Sequence, residues 1–372
     1  MNSFETRRGR MYDWMAREGI ALVMLEDTEG RRDPSLRWLT GQPGDALLFL
    51  SVDKKSLLVP WDINMAQLYA QADIMIPFGE FERQPVKALK KATEYFKIPQ
   101  GSRVEIPSVT PYVLFLKYVE YASDFDIICR NGGAQEAIQE MRAVKDEDEL
   151  KLYRKAAKIT NEIIDLLEER VRSEKLKTET DVALFIEAEG RKRGCEGTGF
   201  ETLAAGPSRS FGIHAFPAYT GAPFAEPGLS ILDFGLNYGG YTTDVTLTFA
   251  RGPLSKPQEK QLALTEKAYK LALSMVKDGV SAREIAVAVD ALFAKSGKIM
   301  PHGLGHGIGL EAHEAPNIRS RADNTWLLTE GMVFTLEPGL YDPIIGGCRL
   351  ENDVLITGTG TEVLTNGRII RL

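Results

Sequence analysis

Four acidic residues and one histidine in the C-terminal half have the types and spacing of a metal-binding set. They are Asp233, Asp244, His306, Glu337 and Glu351. Each lies in a short segment typical of a β-strand, not on a charged surface helix. Carboxylates can bridge and neutralise two hard divalent cations, while an imidazole caps one end and water fills the remaining positions. We therefore expect these five residues to hold two divalent metal ions.

The two aspartates lie in apolar segments on either side of a glycine-containing turn. Segment 230–235 carries Asp233, and the alternating, β-branched segment 242–249 carries Asp244. A hairpin centred immediately before Gly239 would place the two aspartates directly opposite each other on one face. Two acids facing each other among apolar residues repel, so this arrangement requires a cation or a shared proton.

The two glutamates repeat this arrangement further along the chain. Glu337 ends one apolar strand segment, and Glu351 lies in the returning segment 348–356. A hairpin centred on Ile344, with residues 341–347 in its loop, again places the two acids opposite each other. Two such hairpins predict one metal site more strongly than two solvated pairs of acids.

All four histidines lie close in sequence to these acid pairs. They are His214, His302, His306 and His313. A zinc-binding helix of the His-Glu-x-x-His type is excluded, because Gly303 follows His302. Glycine at every second position from 303 to 309 would also cost a helix about 1 kcal/mol each. In an extended segment His302 and His306 are about 13 Å apart, so at most one of them binds a given ion.

The chain is predicted to form two domains. Residues 1–135 alternate helix and strand and predict an α/β domain, with 130–133 as a linker. The helices are expected at 4–17, 63–72, 84–96 and 112–122, and the strands at 21–25, 46–49 and 56–59. Residues 141–372 form the second domain, which we expect to carry the chemistry.

The second domain shows a coarse internal repeat. Helices are expected at 146–172 and 257–277, and each is followed by a second helix that a capping signal opens. The two signals are Thr178-x-x-Asp181 and Ser281-x-x-Glu284. Because each helix pair precedes a hairpin with two acids, the domain is predicted to contain two similar halves that meet at a shared metal site.

Composition excludes several classes of function. The 372 residues carry a net charge of −7 with no basic run, which does not favour nucleic-acid binding. The first seventeen residues are charged and polar, and no apolar stretch is long enough to span a bilayer, so neither a signal peptide nor membrane insertion is expected. Three widely spaced cysteines argue against a disulfide framework or a zinc ribbon and favour a reducing cytoplasm.

The motifs around the five expected ligands resemble those of the pita-bread metallopeptidases, which include prolidase, aminopeptidase P and methionine aminopeptidase. The matching segments are Leu232-Asp233-Phe234-Gly235, Thr243-Asp244-Val245-Thr246, Gly305-His306-Gly307-Ile308-Gly309, Leu336-Glu337-Pro338-Gly339-Leu340-Tyr341 and Arg349-Leu350-Glu351. Residues 36–41 resemble a creatinase/prolidase-type N-terminal domain more loosely. The resemblance implies an α/β N-terminal domain and an α+β pita-bread catalytic domain with a pseudo-two-fold internal repeat.

The resemblance also implies roles for individual residues. All five ligand positions are filled, which argues against the metal-free creatinases. Glu337 would both bind metal and carry a proton to the leaving nitrogen, and His313 would stabilise the developing oxyanion. His214 would contact substrate near the scissile bond, His302 would occupy an outer position, and Arg349 would line the substrate site. In one departure from the pattern, Leu247 stands where many prolidase-type members have arginine.

The function that the resemblance implies is a cytoplasmic exopeptidase that depends on Mn²⁺ or Co²⁺, with Zn²⁺ as a further option. Its substrates would be small peptides with proline after the first residue, and dipeptides are favoured over longer peptides. A homodimer is implied as well. Two alternatives remain: hydrolysis of a non-peptide C–N bond on the same scaffold, which Leu247 leaves open, and a non-catalytic peptide-binding module, which would be expected to lack ligands.

Overall fold

The computed structural model describes residues 2–372, which divide into two compact units. The boundary lies between Met141 and Arg142. A helix, Ala134–Arg142, occupies the stretch between the end of the first predicted domain and the start of the second. Among residues 2–372, no helix is both long enough and apolar enough to cross a membrane.

The first unit contains one six-stranded sheet flanked by helices. Its strands are β1 (Leu22–Asp27), β2 (Ala46–Ser51), β3 (Lys55–Pro60), β4 (Ile74–Met75), β5 (Arg103–Glu105) and β6 (Asp126–Ile128). Its helices are α1 (Ser3–Glu18), α2 (Ser35–Thr40), α3 (Ile63–Tyr69), α4 (Pro85–Tyr95), α5 (Tyr112–Tyr121) and α6 (Ala134–Arg142). The strand order is β4-β3-β2-β1-β5-β6, with antiparallel pairing from β1 to β3 and parallel pairing elsewhere.

Alternation along the central strands explains why this sheet is covered by helices. Leu22, Met24, Leu47 and Phe49 point to one face and pack with buried residues of α4 and α5 in one apolar core. Every residue of β1 and β2 is buried, which is the pattern of a sheet covered on both faces. The predicted α/β domain is therefore confirmed, although α2 and α6 were not predicted.

Four helices frame the second unit, arranged as two consecutive pairs. They are α7 (Glu147–Arg172), α8 (Glu179–Lys192), α9 (Lys256–Met275) and α10 (Ala282–Lys295). Thr178 caps α8 in the predicted capping box with Asp181. The capping box predicted for α10 is wrong, because Ser281 makes no side-chain cap hydrogen bond. Instead, the Ala282 N–H donates to the Trp326 carbonyl at 3.0 Å, a contact with a distant segment.

The strands of the second unit follow the helix pairs in two groups. The first group is β7 (Gly197–Thr198), β8 (Leu203–Ala205), β9 (Gly228–Phe234), β10 (Leu236–Tyr238), β11 (Tyr241–Thr242) and β12 (Val245–Arg251). The second is β13 (Gly305–Gly307), β14 (Glu314–Ile318), β15 (Val333–Leu336), β16 (Gly339–Asp342), β17 (Gly346–Arg349), β18 (Asn352–Thr357) and β19 (Gly360–Val363), and the last strand is β20 (Ile369–Arg371). The two main sheets have the orders β20-β12-β9-β8 and β14-β13-β15-β18-β19.

Each helix pair packs on the sheet of its own half. Residues of α7 and α8 share an apolar core with β9 and β12, and residues of α9 and α10 share another with β15 and β18. The order of helix pair and then strands therefore occurs twice, as the sequence predicts. β20 ends the chain by pairing in parallel with β12, so the last strand belongs to the first sheet.

The register predicted for the first acid hairpin is wrong. Asp233 lies opposite Thr246, not opposite Asp244. The turn is made by Gly239 and Gly240, whose φ angles are +61° and +90°. A two-residue hairpin turn of this kind needs positive φ at both central positions, which glycine adopts most readily. The hairpin is therefore centred one residue later than expected.

The register predicted for the second acid hairpin is confirmed. Leu336 pairs with Asn352 and Gly339 pairs with Arg349, so the positions of the two glutamates are aligned between two short ladders. The predicted loop 341–347 is wrong in extent, because β16 and β17 continue to Asp342 and Gly346. The turn is confined to residues 343–345.

Candidate metal centre

One cavity of about 660 Å³ in the second unit brings the predicted site residues together. All nine of them line it: Asp233, Asp244, His306, Glu337, Glu351, His214, His302, His313 and Arg349. They come from both halves of the unit. The two aspartates belong to the first half, and the two glutamates and three of the histidines belong to the second.

The ends of short strands position the five expected ligands. Asp233 is the penultimate residue of β9, Asp244 directly precedes β12, and His306 is the central residue of β13. Glu337 follows β15, where its N–H donates to the Leu304 carbonyl at 2.8 Å. Glu351 precedes β18 and is 2 % exposed. Main-chain pairing therefore fixes the backbone from which each side chain enters the cavity.

The donor atoms of these residues lie close together. His306 Nε2 is 3.7 Å from Asp244 Oδ2 and 3.7 Å from Glu337 Oε1. One ligand atom from each of Asp244, His306 and Glu351 lies within 4.8 Å of the other two. His306 Nδ1 is 3.1 Å from the Gly307 carbonyl, which accepts a hydrogen bond from it, so that Nε2 presents its lone pair to the carboxylates.

Two buried carboxylate oxygens in the cavity have no hydrogen-bond partner among residues 2–372. They are Oδ1 of Asp233 and Oδ1 of Asp244. A buried carboxylate oxygen without a donor is costly, since it has lost its water and gained nothing. Hard carboxylate oxygens with one imidazole are also the donor set that divalent cations such as Mn²⁺ accept. The residues present therefore fit divalent metal ions.

The raised pKa values of the buried acids also indicate a cation site. Burial raises the pKa of Asp244 and Glu337 well above the usual carboxyl range, and the negative charge of Glu351 raises both further. Burial, followed by the charge of Asp233, raises the pKa of Glu351 to about 7. It is unfavourable for all of these acids to be ionised at the same time. A bound cation would lower their pKa values again, because it attracts each carboxylate.

Arg349 is the buried cation beside the acids, and it is fully engaged. Its Nη2 donates to Asp233 Oδ2 at 2.6 Å, and its Nε donates to Thr246 Oγ1 at 2.9 Å. Its Nη1 donates to the Ile213 carbonyl at 3.1 Å and to Tyr341 Oη at 2.7 Å. The guanidinium therefore holds Asp233 in place through a direct hydrogen bond, and its Nε lies 4.0 Å from Glu351 Oε2.

Both ring nitrogens of His302 contact residues outside the group formed by Asp244, His306 and Glu351. Its Nδ1 lies 2.8 Å from the Gly303 carbonyl, and its Nε2 lies 3.0 Å from Tyr341 Oη. Because Arg349 donates to the same hydroxyl, the tyrosine hydrogen is directed at His302. The ring remains 3.7 Å from Glu337 Oε2. Burial lowers the pKa of both His302 and His306 to about 4, so both rings are neutral at pH 7.

His214 and His313 are exposed and line the open side of the cavity. The His313 ring is 4.2 Å from the His306 ring, centroid to centroid. Burial lowers the pKa of His313, although the charge of Asp233 opposes that effect. A neutral imidazole that faces the cavity can donate a hydrogen bond from one nitrogen to a bound molecule.

Three residues that support this site were not predicted as site residues. Thr246 Oγ1 donates to Glu351 Oε2 at 2.6 Å, Asp353 Oδ2 accepts from the Asp244 N–H at 3.1 Å, and Tyr341 bridges Arg349 and His302. Thr246 and Asp353 each follow an expected ligand by two positions. Since alternate residues of a strand share a face, that spacing was the available signal.

Leu247, the departure from the prolidase-type pattern, lies outside the cavity. Its side chain is fully buried in the apolar core shared by α7, α8, β9 and β12. It is not among the lining residues found in the described chain, 2–372. Leucine in place of arginine at this position therefore affects the packing of the apolar core and leaves the polarity of the cavity wall unchanged.

Comparison with known proteins gives consistent results. The model of metallopeptidase family M24 matches residues 151–358. An Xaa-Pro dipeptidase from Pyrococcus horikoshii is 32 % identical over 303 residues, which cover 79 % of this chain and 84 % of that protein. The crystal structure of the prolidase from Pyrococcus horikoshii OT3 superposes with a TM-score of 0.81 at 26 % identity, over 97 % of this chain and 98 % of the other.

A second solved structure is that of an aminopeptidase. The X-Pro aminopeptidase from Thermotoga maritima superposes with a TM-score of 0.81 at 27 % identity, over 98 % of this chain and 99 % of the other. These similarities cover both units, so the fold is an N-terminal α/β domain followed by a pita-bread catalytic domain. The family is one of hydrolases that use divalent metal ions, for which Asp244, His306 and Glu351 form a possible site. The chain belongs to metallopeptidase family M24.

Proposed function

We propose that this chain is an exopeptidase that hydrolyses Xaa-Pro bonds, and that dipeptides are its preferred substrates. The observation that carries the proposal is the cavity in which all five expected ligands meet Arg349 and the other three histidines. The names of the relatives support the substrate class, since both a dipeptidase and an aminopeptidase for Xaa-Pro bonds resemble the chain over most of its length.

Asp233, Asp244, His306, Glu337 and Glu351 are the residues proposed to hold two divalent ions. When bound, such ions lower the pKa of water and polarise a carbonyl oxygen. We propose that Glu337 accepts the proton of the attacking water and delivers it to the leaving nitrogen. Its two oxygens lie 3.7 Å from His306 and from His302, so its carboxylate stands between two neutral rings at the cavity wall.

The remaining polar residues of the cavity are proposed to position the substrate. His313 is assigned the hydrogen bond to the developing oxyanion, because its ring adjoins His306 and faces the cavity. His214, on the same open side, is assigned a contact near the scissile bond. Arg349 is assigned to the substrate site through Asp233 and Tyr341, which its guanidinium holds.

The apolar part of the cavity wall suits a proline ring. Its members include Phe200, Leu203, Ile213 and Ala218. An Xaa-Pro bond has no N–H, so a peptidase cannot recognise it through a hydrogen bond from that nitrogen. Contact between apolar side chains and the pyrrolidine ring is the interaction that remains available.

Three further attributes belong to the same proposal. Mn²⁺ or Co²⁺ is the favoured metal, with Zn²⁺ possible, because four of the five expected ligands are carboxylates. A reducing cytoplasm is supported by three free cysteines, of which Cys195 and Cys348 are buried. A homodimer is proposed from the family resemblance alone.

Metal restoration with two substrates tests the function. The protein is stripped with a chelator, Mn²⁺ or Co²⁺ is added back, and release of the first amino acid is measured from an Xaa-Pro dipeptide and an Xaa-Pro-Yaa tripeptide. Metal-dependent cleavage of the dipeptide alone identifies a dipeptidase, and preference for the tripeptide identifies an aminopeptidase. If neither peptide is cleaved while two ions per chain are bound, the Xaa-Pro proposal is wrong.

A further inference from the structure

The side chain of Glu201 is a cavity-lining acid with no role in the proposed chemistry. It is exposed, and it lines the same cavity as the expected metal ligands. Its carboxylate forms no hydrogen bond or ion pair with any residue in the described range 2–372. Exposed glutamates are common, so the meaning of this one depends on what surrounds it.

Main-chain contacts place Glu201 on the wall next to Asp233. It precedes β8, the edge strand of its sheet, and Leu203 of β8 lies opposite Asp233 of β9. The Gly199 N–H donates to the Gly235 carbonyl at 3.0 Å, which ties the preceding segment to the same sheet. The backbone around Glu201 is therefore tied to the sheet beside Asp233, and the side chain enters the cavity from this wall.

Two aromatic rings share this cavity with Glu201. Phe200 lies against Gly235, where an added Cβ would be only 2.9 Å from the ring, so a glycine creates the space that the ring occupies. Phe216 is 95 % exposed and also lines the cavity. Exposed aromatic faces beside a carboxylate attract organic cations, and the methylene groups of lysine or arginine can pack on the rings while the charged end reaches the acid.

The positive charges of the cavity lie elsewhere. Arg319 follows β14, the edge strand of the other main sheet, and the Nε of its guanidinium is buried without a partner in the described chain. The Arg349 guanidinium is bound to Asp233. The other four acids that line the cavity are the expected metal ligands, so Glu201 is the lining acid that remains for a cationic substrate group. Arg319 repels such a group, and the wall of Glu201, Phe200 and Phe216 is the place that accepts it.

We propose that Glu201 selects substrates in which the residue before proline is lysine or arginine. The inference rests on the proposed function, because in an Xaa-Pro dipeptide the only variable side chain is that of the first residue. The α-ammonium group is present in every such substrate, so a role for Glu201 in binding that group predicts no selectivity among side chains.

The test compares kcat/KM for Lys-Pro and Met-Pro, two dipeptides whose first side chains have similar length and different charge. The variants are Glu201→Gln and, as the matched control, Glu226→Gln, which neutralises an exposed glutamate that lines a separate cleft. The unmodified enzyme and E226Q are expected to favour Lys-Pro, and E201Q is expected to lower that ratio about 3–10-fold, the effect of a partly exposed charge pair with a cation–π contact. Raising the salt concentration should reduce the preference of the unmodified enzyme as well.

The outcomes separate this inference from the proposed function. An equal loss of kcat/KM for both dipeptides in E201Q assigns Glu201 to the common α-ammonium and overturns the proposed selectivity, and so does an unchanged ratio with unchanged rates. Cleavage of neither dipeptide by the unmodified, metal-loaded enzyme rejects the Xaa-Pro activity itself.

Discussion

His306 is the single imidazole in the compact group of possible ligand atoms, and its neighbours leave Nε2 available. The Gly307 carbonyl accepts from Nδ1, and burial keeps the ring neutral at pH 7, as a metal ligand must be. The other three histidines line the cavity, but none belongs to the group formed with Asp244 and Glu351. A substitution at His306 therefore tests whether this histidine binds the metal or, like the other three, only lines the cavity.

Replacing His306 with alanine is expected to weaken metal binding at least about tenfold, because losing a ligand should cost no less than losing a residue that merely orients one. The measurement is the metal content per chain after dialysis at a fixed free Mn²⁺ concentration. His214→Ala is the control, since His214 lines the same cavity without joining the ligand group. Full metal content in H306A would contradict the assignment.

Thr246 shows how a neutral residue can hold two charged ones. Its buried hydroxyl donates to Glu351 and accepts from Arg349, so it satisfies one atom of each. Thr246→Val keeps the shape and removes the hydroxyl. Because two buried charged atoms each lose a hydrogen bond, we expect the free energy of unfolding to fall by about 1–3 kcal/mol or more.

Urea denaturation at a fixed metal concentration measures this change. Thr359→Val, at an exposed turn position, is the control and should alter the free energy of unfolding by less than about 0.5 kcal/mol. If T246V and T359V are equally stable, Thr246 does not support the acids in the way that its contacts indicate.

At the scale of elements, a buried ionic cluster fixes the start of β14 and the loop that carries His313. Glu314 accepts from Arg142 and from the Glu311 N–H at 3.0 Å, and the Lys145 ammonium lies 3.5 Å from its second oxygen. Arg142 and Lys145 lie at the beginning of the second unit, just before α7. Their contacts with Glu314 therefore attach the start of β14 to the first residues of that unit. Burial alone would raise the pKa of Glu314, but Arg142 and Lys145 outweigh it, and the net pKa is lowered.

The sign of this shift sets a pH dependence. A carboxyl whose pKa is lower in the folded state stabilises the fold above its unfolded pKa, about 4.3, and this contribution is lost as the pH falls through the folded value. Glu314→Gln is expected to cost about 3–5 kcal/mol at pH 7, since two buried cations lose this carboxylate and the other acid that contacts Arg142, Glu311, is more exposed. The cost should begin to shrink below about pH 4, where the unfolded chain is protonated at this position, and it should vanish as the folded protein loses the charge at its lower pKa.

Denaturation curves for the unmodified protein and E314Q between pH 3 and pH 7 measure this difference. Asp323→Asn is a suitable control, because it removes an exposed ion pair with Arg321 that is worth little. A difference between the unmodified protein and E314Q that is constant across this pH range would show that the Glu314 charge is not the source of the stability.

The two hairpins show how far local sequence patterns could predict these elements. Symmetric spacing around Ile344 gave the correct register for Glu337 and Glu351. The predicted centre of the first hairpin lies one residue too early, because symmetric spacing of the two acids does not determine where the turn forms. The turn forms at Gly239 and Gly240, which tolerate positive φ.

Contacts between distant segments were the part that the sequence could not predict. The start of α10 is satisfied by the Trp326 carbonyl and not by the Ser281 hydroxyl. Glu314 and Arg142 are 172 positions apart, and no local period links them. The nine expected site residues meet in one cavity, whereas the hydrogen bonds that hold them depend on packing that only the folded chain specifies.

At the scale of the whole molecule, the candidate metal centre joins the two halves of the pita-bread unit. Asp233 and Asp244 come from the half built on α7 and α8, and His306, Glu337 and Glu351 come from the half built on α9 and α10. Each half has its own apolar core. Ions bound between the two halves would stabilise the folded state of the unit, because the unfolded chain does not bring these ligands together.

Metal removal is therefore expected to destabilise residues 142–372 and to leave the sheet of the first unit unchanged. At a free metal concentration 100 times the dissociation constant, binding contributes about 2.7 kcal/mol, so a chelator should speed amide exchange in β9, β12, β15 and β18 by up to about 100-fold. Hydrogen-exchange mass spectrometry, with peptides from β1 to β3 as the internal control, resolves the two units.

Faster exchange in β9 and β12 alone would place the metal in the first half, and faster exchange in β15 and β18 alone would place it in the second. Either result would contradict a site shared by both halves, because ions bound by ligands from both must stabilise the two sheets together.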